Sequence, residues 1–174
     1  MNQGNGHGEV VDIQVSAARN AARVKFIKRL SDLRDETASL VNSIKANPDA
    51  FKPPLGQWMS LMQLQLLRAQ NWANELLMFF QTSEYAKDVP SPVVRDLAPI
   101  DLSPDGIAHL KQMLQSLNDR TLDEIDWMFL TSAYQEVWVT KRTDQIWQAM
   151  SEALQWVDHA IETVHSLQQK EQQP

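Results

Sequence analysis

Glu162 and His165 stand three residues apart, and Asp158 lies one turn earlier, so one helical face would carry two carboxylates and an imidazole. Glu-x-x-His is the spacing used in di-iron carboxylate bundles. Such a site needs a second Glu-x-x-His and a further Glu from each of two other helices. His7 and His109 have no Glu three residues before them, so that partner set is missing. The segment reads as a solvated helix face, and no metal ligand is expected. Nucleophilic chemistry has no better footing. The chain has no cysteine, no Gly-x-Ser-x-Gly elbow and no glycine-rich phosphate loop, its five glycines being scattered. The expectation is a protein that is not an enzyme, with no catalytic residue, no cofactor and no small-molecule substrate.

A cluster of cations, Arg19, Arg23, Lys25, Lys28 and Arg29, could in principle meet a phosphate backbone, but its only interleaved aromatic is Phe26. With 16 basic against 22 acidic residues and a net charge of −6, the chain is a poor match to a nucleic-acid binder. Residues 1–52 hold 8 basic and 6 acidic side chains, whereas residues 53–174 hold 8 and 16. That asymmetry suits a basic first segment attracting the acidic remainder, within one chain or between subunits. Solvated faces unrelated to each other would give the same count.

The tryptophans are more informative. On a continuous C-terminal helix Trp127, Tyr134, Trp138 and Trp156 fall on one line, separated by 7, 4 and 18 residues, each step close to whole turns. The line lies roughly opposite a stripe through Ile125, Ile146 and Leu154. A helix apolar on two opposite faces must bury both. Either it is sandwiched inside one domain, or the aromatic line meets a partner or a second copy. These four residues are the candidate interaction site.

The elements that must position them are helical throughout. Residues 1–9 read as a polar, disordered tail, and residues 10–174 as a single helical domain. From about Val10 to Ala46 apolar residues recur at spacings of three and four (Val11, Val15, Ala18, Ala22, Phe26, Leu30, Leu33, Leu40, Ile44), and Asn47-Pro48 stops that helix. A second helix is expected from the Pro53-Pro54 pair to about Tyr85. Its stripe is Leu55, Trp58, Met62, Leu66, Ala69, Ala73, Leu76 and Phe80, widened by Leu61, Leu64, Trp72 and Phe79. With only Arg68 and Glu75 charged between Leu55 and Ser83, it is expected at the centre, buried on most sides.

A proline-rich connector follows at 87–104. Ser103-Pro104-Asp105 has the form of a helix start, and a short helix then carries Ile107, Leu110, Leu114 and Leu117. Asn118-Asp119 reads as a turn, and Thr121 to Glu124 fits a capping box that restarts the chain. From Leu122 to about Gln168 the favoured reading is one long helix, although the polar run 140–144 could divide it in two. Its core stripe is Ile125, Met128, Ser132, Val139, Ile146, Met150, Leu154, Val157, Ile161 and Val164. No segment alternates as a strand does. The fold class is all-α: an elongated helical bundle or coiled-coil hairpin with long N- and C-terminal helices. The N-terminus has no basic or apolar region of a secretory signal peptide, and the apolar stretch 55–80 is too often interrupted to span a membrane.

Val89-Pro90-Ser91-Pro92-Val93-Val94, then Leu102-Ser103-Pro104-Asp105-Gly106-Ile107-Ala108-His109-Leu110-Lys111, then a long C-terminal helix, together resemble the filament and needle-tip (hydrophilic translocator) proteins of type III secretion. The stretch Leu55-Gly56-Gln57-Trp58-Met59 to Arg68-Ala69-Gln70 is similar to that family's apolar helix. The resemblance implies a secreted structural protein that polymerises or caps a needle, exported without a cleaved signal peptide. Its partners would be further copies or other parts of the secretion apparatus. A cytoplasmic helical adaptor or secretion chaperone acting as a dimer fits the composition equally well.

Overall fold

The computed structural model describes the backbone of residues 6–82, 86–128 and 137–171, and the side chains of 17–18, 20–82, 87–120 and 138–170. Among these residues are four α-helices: α1 (Gly6–Ala46), α2 (Gly56–Gln81), α3 (Pro104–Met128) and α4 (Val137–Glu171). They form an all-α bundle. Helix α2 packs along both α1 and α4, and α3 packs along α4, so α1 and α4 lie diagonally, as do α2 and α3. One core runs through all four helices, from Phe26, Leu33 and Ile44 of α1 through Met62, Leu66 and Leu76 of α2 to Leu110 of α3 and Ile146 of α4.

The helix ends follow local rules. The Asn47 carboxamide oxygen accepts the Asp49 N–H at 3.0 Å and opens the 3₁₀ turn Pro48–Phe51 that reverses the chain. Helix α2 then begins at Gly56, where a Cβ would overlap the carbonyl of Phe51, so only glycine lets the turn close this tightly. At the start of α3 the Ser103 hydroxyl accepts the Gly106 N–H at 3.1 Å, and Pro104 takes the first helical position, as the sequence implied.

Four expectations are corrected. Helix α1 begins at Gly6, inside the segment read as a disordered tail. Its described side chains ahead of Phe26 are largely solvated, Ala18 among them, because α1 overshoots the other helices at this end. Val11 and Val15 lie outside the described side chains. Helix α2 is not buried on most sides: it has two neighbours, and Leu64, Met78 and Phe79 face solvent.

The third correction is at Asn118-Asp119, where α3 continues without a turn and Asn118 is buried. Asn and Asp cost a helix only a fraction of a kcal/mol each, less than burying Leu114 and Leu117 returns. The fourth concerns the C-terminal helix. Helix α3 ends at Met128 and α4 starts at Val137, and the two are antiparallel, with Lys111 Nζ 2.6 Å from Asp158 Oδ1. A single helix over 122–168 would be about 70 Å long, far beyond the roughly 39 Å of α2. Folding back lets Ile107–Leu117 and Val139–Val164 cover each other instead.

From Val93 to Ile100 the crossover from α2 to α3 runs as extended chain along the last three turns of α1, from Asp35 to Asn47. Val93 N–H donates to Asp35 Oδ2 at 3.0 Å, and Arg95 N–H to Ser39 Oγ at 2.9 Å. Ser43 Oγ donates to the Ala98 carbonyl, while the Ser43 carbonyl accepts the Ile100 N–H at 3.0 Å. Asn47 Nδ2 donates to the Ile100 carbonyl at 2.8 Å. Asp35, Ser39, Ser43 and Asn47 are four residues apart, a rise of about 6 Å each, and two extended residues advance about 6 Å. The two repeats match, so an edge of α1 serves as a template for a strand of chain that has no sheet to join. Pro90, Pro92 and Pro99 have no amide to satisfy and hold this stretch out of helix.

Candidate functional site

The outer seam between α2 and α4 is built on a seven-residue repeat. Trp58, Gln65, Trp72 and Phe79 mark it on α2, and Arg142, Ala149, Trp156 and Thr163 mark it on α4. At one end the Trp58 and Trp156 rings stack 5.9 Å apart with an interplanar angle of 11°, and the His159 ring leans on both, 5.0 Å from Trp58. Trp58 Nε1 donates to Thr163 Oγ1 at 3.0 Å, which in turn donates to the His159 carbonyl. Trp156 Nε1 is shielded from solvent and has no hydrogen-bond partner.

One turn short of the far end Arg142 binds Glu75 at 2.8 Å and donates to Gln145 Oε1 at 2.8 Å. Its guanidinium carbon lies 5.9 Å from the Trp138 ring centroid. Ring pairs of this kind contribute about 0.5–1.5 kcal/mol beyond the area they bury, and an exposed cation–π contact about 0.5–1 kcal/mol.

The far end carries a chain of aromatic contacts across three helices. Phe26 of α1 meets Phe80 of α2 at 6.1 Å, Phe80 meets Phe79 at 5.5 Å, and Phe79 meets Trp138 of α4 at 5.4 Å. Phe26 and Phe80 are buried, but Phe79 and Trp138 each keep 37% of their surface in water. Met78, 63% exposed, and Val24, 44% exposed, adjoin these rings in the chain. Among the described residues, Val24, Met78, Phe79 and Trp138 thus leave apolar surface in water toward this end of the bundle.

Of the four candidate interaction residues, the structure places two. Trp138 and Trp156 do share a face of α4, eighteen residues or five turns apart. That face is not opposite the core, however. It lies about 80° round from Ile146 and is turned toward α2. Each ring makes an intramolecular contact, and only Trp138 is among the exposed residues. Tyr134 and the Trp127 side chain lie outside the described residues. Trp127 and Trp138 stand on different helices, so the single line of four does not exist.

Sequence reasoning put Trp58 and Phe79 in the core and passed over His159 and Thr163. For Trp58, Phe79 and Thr163 the signal was the seven-residue spacing, which marks a second seam beside the main stripe, whereas His159 lies off that repeat. The Asp158–Glu162–His165 face carries a different contact from the one its spacing suggested: Glu162 lies 3.5 Å from His159 Nδ1. Among the described residues no three His, Cys, Asp or Glu side chains are grouped to hold a metal ion. Nor, among them, is any helix long and apolar enough to cross a membrane. Of the basic cluster, Lys28 pairs with Asp32 on its own helix at 2.9 Å, and Arg29 donates to the Arg120 carbonyl of α3 at 3.3 Å. No protein-family model matches the chain, and neither a curated protein nor a solved structure matches it.

Proposed function

We propose that the protein is a non-enzymatic helical assembly protein that associates with further copies of itself through the end of the bundle bearing Val24, Met78, Phe79 and Trp138. The observation that carries this reading is the half-exposed Phe79–Trp138 ring pair, held by its own neighbours and beside the exposed Met78. Pre-ordered aromatics lose little side-chain entropy on binding and dominate interface energetics. Sedimentation across a hundredfold concentration range tests it. Wild type should gain mass with concentration, while Met78→Asp should remain monomeric with an unchanged melting temperature. A wild-type chain that stays monomeric throughout refutes the reading.

A filament or needle-tip component of a type III secretion system is the finer form of this proposal. Its support is the order of Val89–Val94, Leu102–Lys111 and the C-terminal helix. Export of a tagged chain that depends on a type III apparatus would bear it out. Retention in the cell, with mass saturating at a dimer, would turn the reading to a cytoplasmic adaptor or secretion chaperone.

A further inference from the structure

The chain contains no cysteine, so all its sulfur is in thioethers, and an oxidant that would take a thiolate first must act on methionine here. The methionines are not equivalent. Met59 and Met62 of α2 and Met150 of α4 are 0% exposed, and Met113 of α3 packs half-buried against the core. Met78 is the opposite case. It sits in the last turn of α2, where its carbonyl accepts the Thr82 N–H at 3.2 Å, and it keeps 63% of its surface in water. Met1 and the Met128 side chain lie outside the described residues.

We propose that Met78 is a peroxide-sensitive modification site, and that its oxidation to the sulfoxide separates copies joined through the end of the bundle that bears it. The second half rests on the self-association proposed above, and the first half does not. The chemistry needs only hydrogen peroxide. The Met78 sulfur attacks one peroxide oxygen, an S–O bond forms as the O–O bond breaks, and the second oxygen leaves with both protons as water. Sulfur loses two electrons and the peroxide gains them. Met59, Met62 and Met150 present no surface to the oxidant.

The product differs from the thioether in the property an apolar contact depends on. A thioether is flexible and apolar, whereas a sulfoxide is polar and accepts hydrogen bonds from water. To enter a dry contact it must give up that water, which works against association unless a donor replaces it. Val24 and Phe79 offer no side-chain donor. The Trp138 indole carries one, but that ring is held by Phe79, and Met78 stands about 100° round α2 from Phe79. Met78 lies outside the core, so the fold itself should not register the added oxygen.

Peroxide treatment of the full chain, followed by peptide mass spectrometry and sedimentation, tests both halves. Met78 should take up one oxygen ahead of Met113, and about tenfold or more faster than Met59, Met62 and Met150. Oxidised wild type should keep its melting temperature and associate about tenfold or more weakly, and methionine sulfoxide reductases with dithiothreitol should restore it. Met78→Leu should associate as wild type does and ignore peroxide. Met78→Gln, a neutral polar side chain of similar length, should associate as weakly as the oxidised chain without any peroxide. The site is overturned if a buried methionine oxidises as fast as Met78 in the folded chain. The switch is overturned if Met78 is fully oxidised and association is unchanged, or if peroxide weakens Met78→Leu as much as wild type. An untreated wild type that stays monomeric refutes the self-association reading and the switch with it, while the order of oxidation still decides the site.

Discussion

Replacing Ser39 and Ser43 together by alanine should loosen the crossover from α1. Both serines are buried, and between them their hydroxyls make two of the hydrogen bonds that hold the extended chain. Each loss should cost about 1 kcal/mol, the usual net contribution of a neutral hydrogen bond. The cost is not higher because Arg95 and Ala98 are themselves exposed, so water can reach their orphaned backbone groups. The pair should therefore lose about 2 kcal/mol, or about 4–8 °C in melting temperature for a chain of this size.

Ser31 supplies the control. It is equally buried, but its hydroxyl bonds the Ile27 carbonyl of its own helix. Ser31→Ala gives up only that local bond and gains helix propensity, so it should be close to neutral. Urea melts and native-state hydrogen exchange at the Val93 and Arg95 amides would measure the effect. If the double variant is no less stable than Ser31→Ala, or if Arg95 exchange is unchanged, the templated crossover contributes nothing and the reasoning fails.

Gly56→Ala should cost about 1–3 kcal/mol, because the new Cβ meets backbone at Phe51 that cannot give way without opening the α1–α2 turn; a melting temperature within 1 °C of wild type would contradict this. Asp101 should govern part of the acid limb of stability. The Ser103 N–H, then its hydroxyl, hold the Asp101 carboxyl below its ordinary value, so its contribution is present above the unfolded carboxylate range, near pH 4, and fades as pH falls through the lowered value. Asp101→Asn should flatten the dependence of melting temperature on pH below about 4 and leave the slope above pH 5 alone.

Periodicity made most of the helices legible. The buried faces from Phe26 to Ile44, Met62 to Phe80 and Ile107 to Leu117 follow spacings of three and four, and Ser103-Pro104-Asp105 marked the start of α3. The reversal between α3 and α4 was not legible, since residues 118–144 contain neither proline nor glycine. It is decided by two apolar stripes covering each other, which no local window reports. The aromatic residues were missed for a related reason. Spacing correctly put Trp138 and Trp156 on one face of a helix, but spacing does not say which neighbour that face meets. Ser39 and Ser43 likewise looked like polar interruptions of a core helix, and their partners lie 56 and 55 residues away.

The Trp58–Trp156 stack has a consequence for how the chain reaches this state. The α1–α2 and α3–α4 pairs join helices adjacent in sequence, so each closes over a short length of chain at little entropic cost. The α2–α4 seam is different, since Trp58 and Thr163 are 105 residues apart. On the loop-closure argument the two hairpins should form first and dock second, and docking should bring two indoles from solvent into a stack. Far-ultraviolet ellipticity and indole fluorescence in a refolding experiment would therefore time separate events, the making of helices and their meeting.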